Sequence, residues 1–399
     1  MDLDALLAEN PVIDGHNDLL WTARVATGYD FGRLDVGTDL TAGSTPTHTD
    51  LPRMRVGGVG AQFWSVYVPT RLTGDDAVSA TLEQVDAAYN LTQRYPDQLA
   101  LAVTAHDVEA AWSSGRMASL MGAEGGHCIN SSLGTLRQLH ALGVRYLTLT
   151  HNANTPWADS ATDVPVARGL TAFGREVVRE MNRLGMMVDL SHVSADTMRD
   201  ALAVTEVPAI FSHSSARAVT ESPRNVPDDV LESLRDQGGV CMVTFVPAFV
   251  NEACADWHRG VVEAAAAEGI TEADGARFGP FYDSYRLAHP QPLADLTDVV
   301  RHCEHVREVA GIDHVGLGGD YDGVEVLPRG LDDVSRYPAL LGALAEAGWS
   351  ESDLGRLACR NILRVMRATE TGARELQQRR GPSLARIEDV DAPGADDQG

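Results

Sequence analysis

The feature that most constrains how this chain folds is the recurrence of short apolar runs between helix-patterned segments. Eight runs rich in Val, Ile, Leu and Met stand out: Pro11–Asp14, Ala61–Val68, Ala118–Ala123, Tyr146–Thr150, Met186–Leu190, Ala209–Ser212, Val240–Val246 and His314–Leu317. Continuous hydrophobicity over so few residues predicts strands buried on both faces, as in a parallel sheet. The intervening segments Asp76–Arg94, Ser132–Leu142, Ala167–Leu184, Asp196–Ala203 and Asp228–Gln237 carry helical periodicity. Eight strands alternating with helices favour a (β/α)8 TIM-like barrel over an open doubly wound sheet.

Two insertions interrupt the alternation. Leu20–Gly60 is rich in Gly, Thr and Asp and is expected to loop over the barrel mouth. Pro247–Pro292 carries a helical stretch around Trp257–Glu268 and is expected to form a lid or an oligomer contact. Asp333–Ala347 and Glu351–Ala368 read as closing helices. The expected organisation is one barrel domain over residues 1–370, followed by a C-terminal extension over 371–399. The acidic end of that extension, Glu388–Gly399, lacks aromatic residues and is expected to be disordered.

Composition narrows the chemistry. All 32 basic residues are arginine, which excludes a phosphate-loop lysine, a Schiff-base lysine and a carboxylated lysine bridging two metals. A net charge of −25 repels a phosphate backbone, so nucleic acid is not an expected partner. The five cysteines are widely spaced without a CxxC pair and read as reduced thiols of a cytosolic protein. The acidic start MDLDALLAENPVIDG has no signal-peptide pattern, and no run approaches 18 apolar residues. A cytoplasmic protein without a membrane partner is the expectation.

Active sites of such barrels lie at the C-terminal ends of the strands. The first run leads into His16 and Asp18, the third into Glu124, the fourth into His151, the fifth into His192, the sixth into His213 and the eighth into Asp320. Any one of these would read as a satisfied buried polar group. Six of eight runs delivering such a residue at the same end point to a metal-dependent hydrolase.

His16 and Asp18 stand two apart, which suits two ligands for one ion. His192 and His213 come from adjacent strands and suit a second. Glu124 has two carboxylate oxygens and is placed to bridge both. This donor set suits zinc, with manganese or cobalt as alternatives. Two ions would lower the pKa of a shared water and yield a hydroxide nucleophile.

The segments PVIDGHNDLL, GAEGG, LTLTHN, VDLSHVS, FSHSSARAV and HVGLGGDYDG resemble those of the membrane (renal) dipeptidase family, from about Pro11 to Ala368. These are binuclear zinc dipeptidases of the amidohydrolase superfamily. The resemblance implies that His16 and Asp18 bind one zinc, His192 and His213 the other, and that Glu124 bridges them. It implies that His151 contacts the substrate carbonyl and stabilises the oxyanion. Asp320 would take the proton of the attacking water and pass it to the leaving amine, and Arg224 would hold the dipeptide's terminal carboxylate. A D residue at the second position is expected to be tolerated, and a homodimer is compatible with the resemblance. The other readings are an amidohydrolase of deaminase or lactonase/phosphotriesterase type on the same metals, and a barrel that only binds. Arg224 separates the first of these, since neither rival enzyme needs a carboxylate clamp.

Several signals are set aside. GLGGDYDG lacks the GxGxxG spacing of a phosphate loop. His302, Cys303 and His305 have helical spacing and read as a solvated helix face. His127 and Cys128 read equally as packing or as support for the site. Asp322 is the alternative to Asp320 as acid/base, and Tyr67 reads as pocket lining or core.

Overall fold

The computed structural model describes residues 1–392. Nine strands are present among the described residues: β1 Val12–Asn17, β2 Val59–Tyr67, β3 Leu99–Leu101, β4 Met117–Glu124, β5 Val144–Thr148, β6 Met187–Asp189, β7 Ile210–Phe211, β8 Val240–Val243 and β9 Val315–Leu317. All pair in parallel. Pairing of β2 with β4 and of β1 with β9 closes eight of them into a barrel in the order β1-β2-β4-β5-β6-β7-β8-β9. The expected (β/α)8 barrel is the fold. Each of the eight apolar runs overlaps one barrel strand.

Strand β3 was not anticipated. It is three residues long and pairs with β4 over Met117–Ser119, below the stretch Met121–Glu124 that pairs with β5. The helices Leu3–Glu9 and Ala105–Ser113 were also missed.

The two-residue alternation of strands divides the barrel into an interior and a helix-facing layer. Ala118 and Leu120 of β4 join Ile13, Phe63, Tyr146 and Met242 inside, whereas Met117, Met121 and Ala123 pack outward beneath the helices. Tyr146 crosses this interior because β4 leaves room for it. A Cβ on Gly122 would stand 1.9 Å from the Tyr146 ring.

Cys359, Ile362 and Leu363 join the interior cluster from the C-terminal helices. Asn361 donates to Ile312 O at 2.7 Å and Val315 O at 2.8 Å, at the start of β9. The C-terminal helices therefore floor the barrel at the N-terminal ends of its strands. The opposite rim is left for chemistry.

The insertions are more ordered than their composition implied. Leu20–Gly60 contains most of a helix, Leu19–Thr27, and a second, Leu51–Val56. Pro247–Pro292 forms three helices, Pro247–Val250, Glu252–Ala267 and Gly275–Ala288. The closing helices are Tyr337–Glu346, Glu351–Gly355 and Asn361–Arg379, the last running through residue 370. A short helix, Ile387–Val390, overlaps the start of the acidic end. The disorder expected of that end falls largely on residues 393–399, outside the described residues.

One expectation is overturned. The helix Leu296–Ala310 turns His302 and Cys303 fully inward, so they do not form a solvated face. Apolar neighbours at Val299, Val300 and Val306 put them on the buried side. All five cysteines are free and buried.

Candidate metal centre

Local devices aim each side chain at the rim. The pairing of β1 with β2 slips between Asp14 and Asn17. Such an irregularity bends a strand and re-aims its residues, and His16 Nε2 comes within 3.3 Å of Asp18 Oδ2. Glu124 ends β4 in phase with Ala118 and Leu120, so alternation alone places it inside. His192 and Asp320 have positive φ of 67° and 61°. Non-glycine residues pay of order 1–3 kcal/mol for such backbone, which persists only where the surroundings over-determine it.

Glu124 is the centre of the cluster. Its Oε2 lies 3.4 Å from His16 Nε2. Its Oε1 lies 3.0 Å from His192 Nε2, 3.5 Å from His213 Nε2 and 3.7 Å from His151 Nε2. Asp320 Oδ1 is 4.0 Å from His16 Nε2. Three overlapping triads have ligand atoms within 4.8 Å of one another: His16, Glu124 and His213; Glu124, His151 and His192; His16, Asp18 and Asp320. All seven strand-end candidates thus meet at one rim.

The surroundings ask for positive charge. His16 Nδ1 contacts Tyr146 OH at 2.9 Å, and that hydroxyl gives its proton to Gly15 O at 3.1 Å. The imidazole is therefore the donor in the first contact. Its other nitrogen, Nε2, is buried without a hydrogen-bond partner among the described residues, and faces three carboxylates. Burial opposes charging His16, yet Tyr146, Glu124 and Asp18 outweigh it and raise its pKa well above the ordinary value. A cation at Nε2 satisfies the same demand as a proton. The residues present fit a metal.

The remaining groups are set by burial and neighbours. Burial, with Arg224 and His151, holds His192 well below the usual imidazole range, and burial, with His16 and His192, does the same to His213. His151 is pushed down to about 4, mainly by burial. Burial pushes Asp320 up to about 8, aided by Asp18 and Glu124 and opposed by His16 and Arg224. A carboxyl so placed has a strong affinity for a proton.

Arg224 lies in the loop after β7 and is only 3% exposed. Its guanidinium stands over the Phe249 ring, 5.0 Å from the centroid. Its Nη1 has no hydrogen-bond partner among the described residues. Burial pushes its pKa down to about 10.

The alternatives turn elsewhere. Asp322 accepts from His48 N at 2.7 Å, and its own N–H donates to His48 Nδ1 at 3.1 Å, so it fastens the first insertion. His127 reaches Val68 O at 2.9 Å and His305 pairs with Asp228 at 2.8 Å. Tyr67 packs against His151, ring centroids 5.0 Å apart, and so lines the site.

Supporting residues were missed. Asp189 accepts from Ser212 Oγ at 2.7 Å, and Ser212 Oγ in turn lies 2.8 Å from His213 Nδ1. Asn152 Oδ1 holds His192 Nδ1 at 3.2 Å. Asp14 accepts from His16 N at 2.8 Å and from Gly319 N at 2.9 Å. Second-layer groups of this kind orient ligand imidazoles. The one sequence signal was an aspartate shortly before a ligand, in Asp14-Gly15-His16 and Asp189-Leu190-Ser191-His192.

The sequence pattern of the membrane dipeptidases, peptidase family M19, matches residues 1–380. The chain belongs to that family. As a membrane dipeptidase family member it is a hydrolase of the metallo-dipeptidase kind. Solved structures agree. A dipeptidase described as an M19 metallopeptidase is 27% identical, covers 90% of this chain and 98% of its own, and superposes with a TM-score of 0.74. A metallopeptidase from Rhodobacter sphaeroides, bound to a phosphinate mimic of the dipeptide L-Ala-D-Ala, is 26% identical, covering 90% and 99%, with a TM-score of 0.74. A probable dipeptidase, PvdM, from Pseudomonas aeruginosa shares the fold at 21% identity, covering 93% and 98%, with a TM-score of 0.79. Despite the family's name, no helix among the described residues is long and apolar enough to cross a membrane.

Proposed function

We propose that this chain is a two-zinc dipeptidase that cleaves dipeptides with a free C-terminal carboxylate and accepts a D residue at the second position. The observation that carries the reading is the division of Glu124: Oε2 faces His16, while Oε1 faces His192 and His213. His16 and Asp18 would hold one ion, His192 and His213 the other, and Glu124 would join them. When bound, the ions would supply a nucleophile at neutral pH by lowering the pKa of a water.

The chain's own residues do the rest. Arg224, a buried cation with an open Nη1, grips the terminal carboxylate and fixes the distance from there to the scissile amide. That distance selects dipeptides over longer chains. His151 hydrogen-bonds the scissile carbonyl oxygen and stabilises the charge that develops there. Asp320, placed at the same rim with Oδ1 4.0 Å from His16 Nε2, accepts in its ionised form a proton from the attacking water and delivers it to the departing amine.

A carboxylate grip says little about configuration at the neighbouring Cα, which is why a D residue is accommodated. The Rhodobacter sphaeroides relative, with its L-Ala-D-Ala mimic, supports this. The test is a panel of L,L-, L,D-, D,L- and D,D-dipeptides with zinc-loaded protein. Turnover of L-Ala-D-Ala well above that of D-Ala-L-Ala is expected. Equal rates would sink the stereochemical claim, and no turnover of any dipeptide would sink the reading.

A further inference from the structure

Arg224 raises a physical problem. Its buried guanidinium makes no ion pair among the described residues, and its Nη1 has no hydrogen-bond partner there to fix its direction. Its aim must be set by the backbone that carries it and by the Phe249 ring beneath it. Both are tied to one side chain on a different element.

That side chain is His302, fully buried on the helix Leu296–Ala310. Its Nδ1 accepts the backbone N–H of Ala216 at 3.1 Å. A backbone N–H can only donate, so the ring proton sits on Nε2. Nε2 stands 3.2 Å from Val250 O and 3.3 Å from Thr220 Oγ1, and donates toward both. One imidazole therefore pins both ends of the Ala216–Thr220 turn and the segment that follows Phe249.

The network continues to the arginine. Asn225, its neighbour in sequence, donates through Nδ2 to Thr220 O at 2.9 Å and to Phe249 O at 2.8 Å. The loop bearing Arg224 and the ring under its guanidinium are thus fastened to each other and, through His302, to the barrel wall. Among the described residues His302 makes its hydrogen bonds to Ala216, Thr220 and Val250, outside the strand-end cluster.

We infer that His302 is a positioning residue for Arg224, holding the arginine loop and the Phe249 platform in the one register that aims the guanidinium at the substrate carboxylate. This rests on the reading of Arg224 as the carboxylate clamp. His302 acts on recognition of the carboxylate and leaves the metal cluster alone.

The experiment compares a dipeptide with its C-terminal amide, which offers no carboxylate, in the zinc-loaded enzyme. His302→Leu is expected to raise KM for the dipeptide by about tenfold or more, with kcat changed less than about threefold and metal content intact. KM for the amide should barely move. His302→Gln keeps one acceptor and one donor and should restore much of the loss. If His302→Leu is not recovered folded, Asn225→Ala cuts the network at its far end and carries the same prediction. Arg224→Met is run alongside. If it leaves the preference for dipeptide over amide untouched, the clamp reading fails. If it abolishes that preference while His302→Leu and Asn225→Ala do not reduce it, the positioning inference fails. Equal loss on dipeptide and amide, or loss of metal, would also overturn it, since that marks a structural role only.

Discussion

His192 and His213 face each other through their Nε2 atoms, 3.0 Å apart, and both stand beside Glu124 Oε1. The far nitrogen of His192, Nδ1, lies 3.2 Å from Asn152 Oδ1, an acceptor that favours the proton on that side of the ring. His213 commits its own to Ser212 Oγ, whose hydroxyl proton goes to Asp189. Burial and neighbouring cationic groups hold both rings well below the usual imidazole range, so a shared proton is a poor remedy. Two imidazole nitrogens converging on Glu124 Oε1 are a donor set suited to a cation.

Metal removal should therefore cost stability as well as activity. Ion binding to the folded state contributes about 4 kcal/mol when free metal is a thousandfold above Kd. Chelation followed by dialysis is expected to lower Tm by several degrees, and zinc should restore it. An unchanged melting curve would count against a metal bound by the folded protein.

Replacing Arg224 by Met should weaken dipeptide recognition and spare the metals. Loss of a buried charge-assisted pair costs about 2–4 kcal/mol, or roughly 30- to 1000-fold in kcat/KM, mostly through KM. Steady-state kinetics with metal analysis checks this. A fall confined to kcat would point away from the carboxylate.

Asp320→Asn keeps shape and removes the proton carrier. A kcat lower by roughly 10²–10⁴ with KM within a few fold is expected. If Asp322→Asn were the more damaging of the two, the assignment would have to move, although Asp322 is tied to His48.

Acid should destabilise the fold partly through His302. Burial is the main cause that pushes its pKa down to about 3. An unfolded histidine titrates near 6.5. Above that pH neither state is protonated and the contribution is intact; as pH falls from about 6.5 toward 3 the unfolded chain gains a proton that the native ring refuses. Roughly 3 kcal/mol is lost by pH 4. Denaturant titrations should show a shallower acid slope for His302→Gln than for the parent. Identical slopes would exclude a neutral buried ring.

Gly122→Ala tests how the barrel interior supports His16. The added Cβ would fall 1.9 Å from the Tyr146 ring, whose hydroxyl holds His16 Nδ1. A loss of at least about 2 kcal/mol in chemical denaturation is expected. A loss below about 0.5 kcal/mol would mean that Tyr146 moves freely and does not fix the imidazole.

What was legible in the sequence follows from these contacts. The barrel and the convergence of His16, Glu124, His192 and His213 could be read because strand ends in this fold share one rim, so residue type and place suffice. Arg224 could be assigned only by resemblance, because a loop arginine has no periodic signature. Asp189, Ser212, Tyr146 and His302 act through partners on other strands and helices, and such pairings depend on register that a single chain does not display. β3 escaped because three residues carry too little pattern, and His302 was misread because its helix buries a polar side chain among valines.

Two ions sharing Glu124 are central to the proposed mechanism, and metal content tests them most directly. Protein loaded with zinc and dialysed against metal-free buffer should retain two equivalents per chain, with Glu124→Gln retaining fewer. A parent protein that holds one equivalent or none, yet cleaves dipeptides at full rate, would contradict it.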